Sequence, residues 1–444
     1  MRGEKTALIG SLVLGSMPRP IPDFGLESRN MTGSMDQRTG STGPRSVLTN
    51  LKTLEMTHSH QRFNFTRRQS ASNSTPRQIN RNLVFNLIRI RQSLSRADIA
   101  RVSGLQRSTV SLIVEDLIKE HWIVEGATDK LPRGRRPTLL QLNNQRAVIA
   151  VDVHPLRTTV AVTDIGGRII AQNLVPLQED SAKAIHAITS AVKKLMATNS
   201  DKSFDGIGIS LPGRMDRGLQ KPVFAPNLNW SALSLKSRMQ RATGLRVEMD
   251  NVANACALSE VWFGESDGTH DLVVVNVSEG IGTGIFANGH LLRGENGMAG
   301  EFGHVQVESN GLMCGCGSRG CWETTASNHA GLRYFQEISG SAPPKTFDAL
   351  IKMAQDGDPN ALAAIGRMSH ALGRGLRMIA SALAPSEIVI VGEVTMAWYL
   401  FSPSVQAEMK QNPLAHTPKV RPSLEGNAAR LRSAVALVMN EGPE

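Results

Sequence analysis

Three cysteines and one histidine crowded between positions 304 and 321 constrain this chain more than any other feature. They are His304, Cys314, Cys316 and Cys321, in the run GEFGHVQVESNGLMCGCGSRGCWE. Three thiolates and one imidazole complete a tetrahedral Cys3His shell, the coordination zinc takes in structural sites. A shell filled by protein leaves no position for water, so the expected zinc is structural rather than catalytic. The same loop carries Glu301 and Glu323, two carboxylates that such a staple would hold rigidly. The C-G-C-G-x-x-G-C spacing is too compact and glycine-rich for unrelated thiols on a buried helix or strand. The fourth cysteine, Cys256, stands in the apolar pattern ACAL and reads as a buried helix residue. Met298 and Met313 read as packing residues.

A length of 444 residues with 41% hydrophobic content allows two or three domains with real cores. Few cysteines, most of them in metal spacing, fit a reducing cytoplasm rather than a disulfide scaffold. No apolar run reaches the roughly 20 residues that span a bilayer. The mildly apolar Ala7–Met17, after Arg2 and Lys5, is weighed as a signal peptide and set aside, because a thiolate metal site argues against export. Charge is uneven. Residues 1–146 hold 23 Lys+Arg against 11 Asp+Glu, whereas residues 147–444 hold 26 against 28. A basic excess confined to one end points to a polyanionic partner, most often nucleic acid.

Residues 1–75 are rich in Ser, Thr, Gly, Asn and Arg without periodicity, and read as a disordered basic tail. Met31, Met35 and Met56 are alternative starts. Residues 76–146 are patterned for folding. Ile79, Leu83, Phe85, Leu87 and Ile88 form the apolar face of a first helix. Ser95, with Asp98 three residues on, predicts the N-cap of a second helix ending near Val102. Gly104 suits a tight turn, and a third helix is expected from about Gln106 to Glu120, with Val110, Ile113, Val114 and Leu117 inward. That is a helix-turn-helix. Gln106, Arg107, Ser108, Thr109 and Ser111 face outward at its start, where a recognition helix meets base edges and phosphates. Trp122–Glu125 reads as a strand leading into a wing, with Arg133, Arg135 and Arg136 placed for phosphates or a minor groove.

From residue 147 the texture changes to strands and helices of α/β type. Strand, turn, strand, turn and strand are expected over residues 147–174, with a hairpin turn at Asp164–Gly167. A helix over Ala182–Thr198, strands Phe204–Ser210, Asp271–Val277 and Ile388–Val391, and a helix over Asn360–Leu383 follow. That last helix is expected to pack within its lobe or against a second subunit. Loops at Pro212–Gly213 and in APNLNW lie at strand ends, where ligands tend to bind. Trp230 in that stretch suits a sugar face or the core equally.

Together these features resemble the ROK family of repressors, open reading frames and kinases, over about residues 77–444. The most specific piece is Gly300-Glu301-x-Gly303-His304, then Cys314-x-Cys316-Gly317-x-x-Gly320-Cys321-x-Glu323. The resemblance implies a two-lobed, actin-like ATPase architecture, ribonuclease H-like, with a sugar in the cleft between lobes. The repressor branch adds an N-terminal winged helix-turn-helix. In the family's sugar kinases an Asn of a P-N-L loop contacts the sugar, and Asn227 matches it. A second Asn beside the catalytic Asp matches Asn251. The Glu and His of E-x-G-H match Glu301 and His304, and the Glu after the last cysteine matches Glu323. Fixed carboxylates and amides suit hydroxyls that both donate and accept.

Two departures from the kinase pattern stand beside these matches. Where the kinases carry N-D-A-N, with Asp as the base, this chain reads Asp250-Asn251-Val252-Ala253-Asn254. Val252 takes the base position and cannot accept a proton. A register slip that makes Asp250 the base is the alternative. The first phosphate loop, D-x-G-G-T in the kinases, is here Asp152-Val153-His154-Pro155-Leu156, and Pro155 lacks an N–H. The later loop, Gly280–Gly284, keeps its glycines. The expectation is therefore a sugar-responsive DNA-binding repressor, without kinase activity, acting as a homodimer or tetramer on a pseudo-palindromic operator. The rivals are an active ROK sugar kinase with an attached DNA-binding domain, and a DNA-binding protein that answers to a protein partner.

Overall fold

The computed structural model describes residues 76–440, apart from 92, 129–136, 156, 177–179, 217–220, 225–234, 265–270, 412–416, 425 and 427. The head opens with α1 (Pro76–Arg91), β1 (Leu94–Ser95), α2 (Arg96–Ser103) and α3 (Arg107–Lys119). It closes with β2 (Ile123–Thr128) and β3 (Thr138–Leu142), in an antiparallel sheet of order β1-β3-β2. Ser95 caps α2 in a complete capping box with Asp98. Gly104 ends α2 at φ 73°, a left-handed turn that costs a glycine nothing. Val110, Ile113, Val114 and Leu117 of α3 are buried, and Phe85 meets Trp122 edge-on at 5.5 Å. The order of helices and strands is the one expected for a winged helix-turn-helix; Arg133, Arg135 and Arg136, expected in its wing, lie outside the described residues. The expected tail, residues 1–75, lies outside them as well.

The first lobe holds β4 (Arg146–Val153), β5 (Arg157–Asp164), β6 (Ile169–Pro176), α4 (Ser181–Thr198) and β7 (Ser203–Leu211). A small ribbon of β8 (Arg214–Asp216) and β9 (Lys221–Phe224) follows, then α5 (Leu235–Thr243) and β10 (Val247–Asn251), after which α6 (Val252–Phe263) passes onto the sheet of the second lobe. The second lobe holds β11 (Leu272–Val277), β12 (Ile281–Ala287), β13 (His290–Leu292), α7 (Glu323–Ala326), α8 (Asn328–Ser339), α9 (Phe347–Gln355) and α10 (Pro359–Leu383). It ends with β14 (Glu387–Gly392), α11 (Trp398–Met409), β15 (Lys419–Pro422) and α12 (Ala428–Met439), the last of which packs back on the first lobe.

The two lobes repeat one sheet. Orders β10-β7-β4-β5-β6 and β15-β14-β11-β12-β13 match strand for strand. In each, the first three strands in sequence pair antiparallel and the rest parallel. Central strands β11 and β14 are buried along their whole length, which explains their mostly apolar runs. Between the sheets lie α12, against β7 and β4, and α6, against β11 and β12, with the two helices packed on each other. Gly208 permits this approach, since a Cβ there would sit 1.7 Å from the Ala434 oxygen. Outside, α4 and α5 cover the first sheet and α8 to α11 the second. Helix α10 packs within its own lobe, against α8, α9 and α11.

Candidate functional site

The Cys3His residues converge. Their ligand atoms all lie within 4.8 Å of one another. Cys314 Sγ is 3.5 Å from His304 Nδ1, and Cys316 Sγ is 3.7 Å from Cys321 Sγ. A tetrahedral shell with Zn–S near 2.3 Å has edges of about 3.7 Å, so the donor set and its spacing fit zinc. The bound ion would hold the loop between His304 and Cys321 in one conformation. Met298 and Met313, expected as packing, instead lie half exposed beside it at 46% and 58%.

Local sequence explains how the loop is aimed. Gly300 turns at φ 88°, and a Cβ there would meet the Thr283 oxygen at 2.3 Å. A Cβ on Gly303 would meet the Ile281 oxygen at 2.1 Å. The two glycines lay the 3-10 turn Glu301–His304 flat on β12. Trp322 is fully buried and donates from Nε1 to the Ala371 oxygen of α10 at 3.0 Å. That anchor sets Glu323 at the first position of α7. Glu323 Oε1 is then 3.4 Å from His304 Nδ1, while His304 Nε2 faces Glu301 Oε2 at 3.7 Å.

A cleft of about 1040 Å³ opens between the lobes, and Asn251, Glu301, His304 and Glu323 all line it. Asn227 lies outside the described residues, as does Trp230. Asn251 caps α6, accepting from Ala253 N at 2.7 Å, and its amide donates to the Gly213 carbonyl. Val252, which the resemblance sets against the kinase base, also lines the cleft. Asp250 is buried, pairs with Arg293 and accepts from Asn254 Nδ2 at 3.3 Å. Asp250 and Arg293 both line the cleft as well.

Where the resemblance places the kinase phosphate loops, side chains of both loops are tied into polar contacts beside the cleft. Asp152 Oδ2 and Oδ1 accept from Arg430 Nε and Nη2, both at 3.1 Å. Arg430 Nη1 reaches Asn276 Oδ1 at 3.3 Å. His154 Nε2 lies 3.0 Å from Ser278 Oγ and 3.6 Å from Glu393 Oε1, and Asn328 Nδ2 donates to Glu393 Oε2 at 3.0 Å. Burial alone would raise the Glu393 carboxyl. The His154 contact, the Arg430 charge and the Asn328 amide outweigh it and hold the carboxyl at about 2. Gly284 answers a packing need, because a Cβ there would meet the Ala253 oxygen at 2.2 Å. Cys256 is buried, and desolvation pushes its thiol up to about 12. Sequence reading missed Arg430, Asn276, Glu393 and Asn328. The one available signal was an arginine inside the apolar run of α12.

On the head, Gln106, Arg107 and Ser108 are exposed at the start of α3, and Thr109 and Ser111 are half-buried. Leu112, also missed, is 63% exposed on the same helix.

The ROK family pattern matches residues 148–441. A relative from Bacillus spizizenii named xylose repressor is 32% identical over 337 residues, which is 75% of this chain and 87% of that protein. The crystal structure of a ROK family transcriptional regulator, a homolog of the E. coli MLC protein, superposes with a TM-score of 0.68 at 27% identity. It covers 82% of this chain and 98% of that one. A ROK family glucokinase from Streptomyces griseus, in complex with glucose and AMPPNP, follows at TM-score 0.61 and 29% identity, over 66% of this chain and 98% of its own. With the family pattern running through both lobes and the repeated sheets enclosing one cleft, the chain belongs to the ROK family.

Proposed function

We propose that this chain is a sugar-responsive DNA-binding repressor whose kinase-like lobes bind a sugar without phosphorylating it. The observation that carries the reading is the cleft itself. Asn251, Glu301, His304 and Glu323 line it beside an apolar Val252, and the residues at the first phosphate-loop position are engaged in the pairs Arg430–Asp152 and His154–Glu393. Such a site recognises hydroxyls, but the position matching the kinase base is apolar, and Pro155 in the first phosphate loop offers no N–H to a phosphate. Asn227 is proposed as a fifth sugar contact. His304, Cys314, Cys316 and Cys321 are proposed to hold a structural zinc that fixes Glu301 and Glu323. Gln106, Arg107, Ser108, Thr109 and Ser111 are proposed to enter a major groove, with Arg133, Arg135 and Arg136 on adjacent phosphates.

The relative named xylose repressor and the ROK transcriptional regulator support this reading. The protein acts as a homodimer, because one head alone buries little DNA surface. Sugar releases DNA if it binds the DNA-free arrangement more tightly, and the coupling is reciprocal. A gel shift on the chain's own upstream DNA, with D-xylose, D-glucose and N-acetylglucosamine, tests it. Release by one sugar, abolished in Glu301→Ala, is expected. Binding to DNA that no sugar alters would contradict the reading.

A further inference from the structure

The head packs on the lobes through a shared apolar core and through two cations in different surroundings. Arg146, the first residue of β4, lies with its guanidinium 3.4 Å from the centre of the Trp122 ring. It donates from Nη1 to the Glu120 carbonyl at 3.0 Å and from Nε to Asp205 Oδ2 of β7 at 3.0 Å. A second bond from Nη2 reaches Asp205 Oδ1. This cation is paired and stacked, and it rivets the head to the first lobe.

Arg89 of α1 makes the other contact. It is 5% exposed, and its guanidinium lies 2.9 Å from the centre of the Trp262 ring. Its Nε and Nη1 have no hydrogen-bond partner among the described residues. Burial pulls the guanidinium well below its ordinary range. A desolvated cation whose recorded partner is a ring face is a costly contact, and one that parts more readily than a paired one.

Trp262 stands near the C-terminal end of α6, and the opposite end of that helix is the cleft, where Asn251 caps it and Val252 lines the wall. Twelve helical residues span about 18 Å. A buried network fastens α6 to the second sheet. Arg421 of β15 donates to Glu260 Oε2 at 3.0 Å and to Glu387 Oε1 of β14 at 2.9 Å, and Ser423 donates to Glu260 Oε1 at 2.7 Å.

We infer that, within the apolar core the head shares with α6 and α12, Arg146 holds it firmly to the first lobe and the Arg89–Trp262 stack holds it loosely to α6, so that a change in the angle between the lobes re-aims it. Arg89 and Trp262 are then positioning residues that touch neither sugar nor DNA. The inference rests on the proposed sugar site and adds the route by which its occupancy reaches the head.

The test uses the full chain and two variants, Arg89→Met and Trp262→Phe. D-xylose, D-glucose and N-acetylglucosamine are titrated first without DNA, then with it. Both variants are expected to keep sugar-free DNA affinity and DNA-free sugar affinity within about threefold of wild type. The loss of DNA affinity at saturating sugar, ordinarily about 5–150-fold for such coupling, is expected to shrink below about twofold. Undiminished coupling in the variants overturns the inference. Should a variant fail to fold, hydrogen exchange in the wild-type chain decides. Bound sugar that leaves exchange over Pro76–Arg91 unchanged overturns the inference, and altered protection there supports it. If none of the three sugars binds, the first titration alone shows that the proposed function fails, and this inference falls with it.

Discussion

At Val252 a single side chain separates two chemistries. Its apolar face lines the cleft where a carboxylate would take a hydroxyl proton. Restoring that carboxylate alone is not expected to restore a kinase, because Asp152 and His154 stay engaged with Arg430 and Ser278 and Pro155 lacks an N–H. Val252→Asp is expected to show no turnover above background in a coupled assay with ATP and glucose; a rate near the ~1 s⁻¹ of ordinary kinases would contradict this. Glu393 makes a second residue-level prediction. Its folded pKa, about 2, lies below the ordinary 4.5. The unfolded chain therefore binds more protons between those values, and stability rises with pH there. The stabilisation is present above pH 4.5 and is lost as pH falls toward 2. Acid-unfolding curves should be shallower in this range for Glu393→Gln than for wild type. Identical curves would remove the carboxylate from the clasp.

At the scale of elements, the metal loop and the helices that carry it form one device. Gly300 and Gly303 press the 3-10 turn onto β12, and Trp322 anchors the loop's other end under α10. A metal between those anchors would freeze Glu301 and Glu323 together. Purified protein is expected to hold about one zinc per chain. Chelation is expected to weaken sugar binding by roughly 10-fold or more, as loss of supporting contacts commonly does, and to expose the three thiols to alkylation. Unchanged sugar affinity in metal-free protein would show that the loop holds itself.

Much of this scale was legible in the sequence. Ser95 and Asp98, Gly104 and the inward set of α3 marked the head's helices, because caps, turns and periodicity are local. The two-residue strand β1 was not legible, since only pairing with β3 defines it. Nor was the phosphate-end clasp. Asp152 and Arg430 are brought together by the fold from distant parts of the chain, and no local pattern records such a partnership.

For the whole molecule, two repeated sheets enclose a cleft and share a seam of two helices, one of which ends under the head. That layout makes the cleft a sensor only if it holds sugar and declines nucleotide. Isothermal titration of the full chain tests this directly, first with D-xylose, D-glucose and N-acetylglucosamine, then with ATP and magnesium. The account predicts saturable binding of one sugar, about one per chain, and no heat from ATP with or without it. ATP binding followed by release of a sugar phosphate would contradict it.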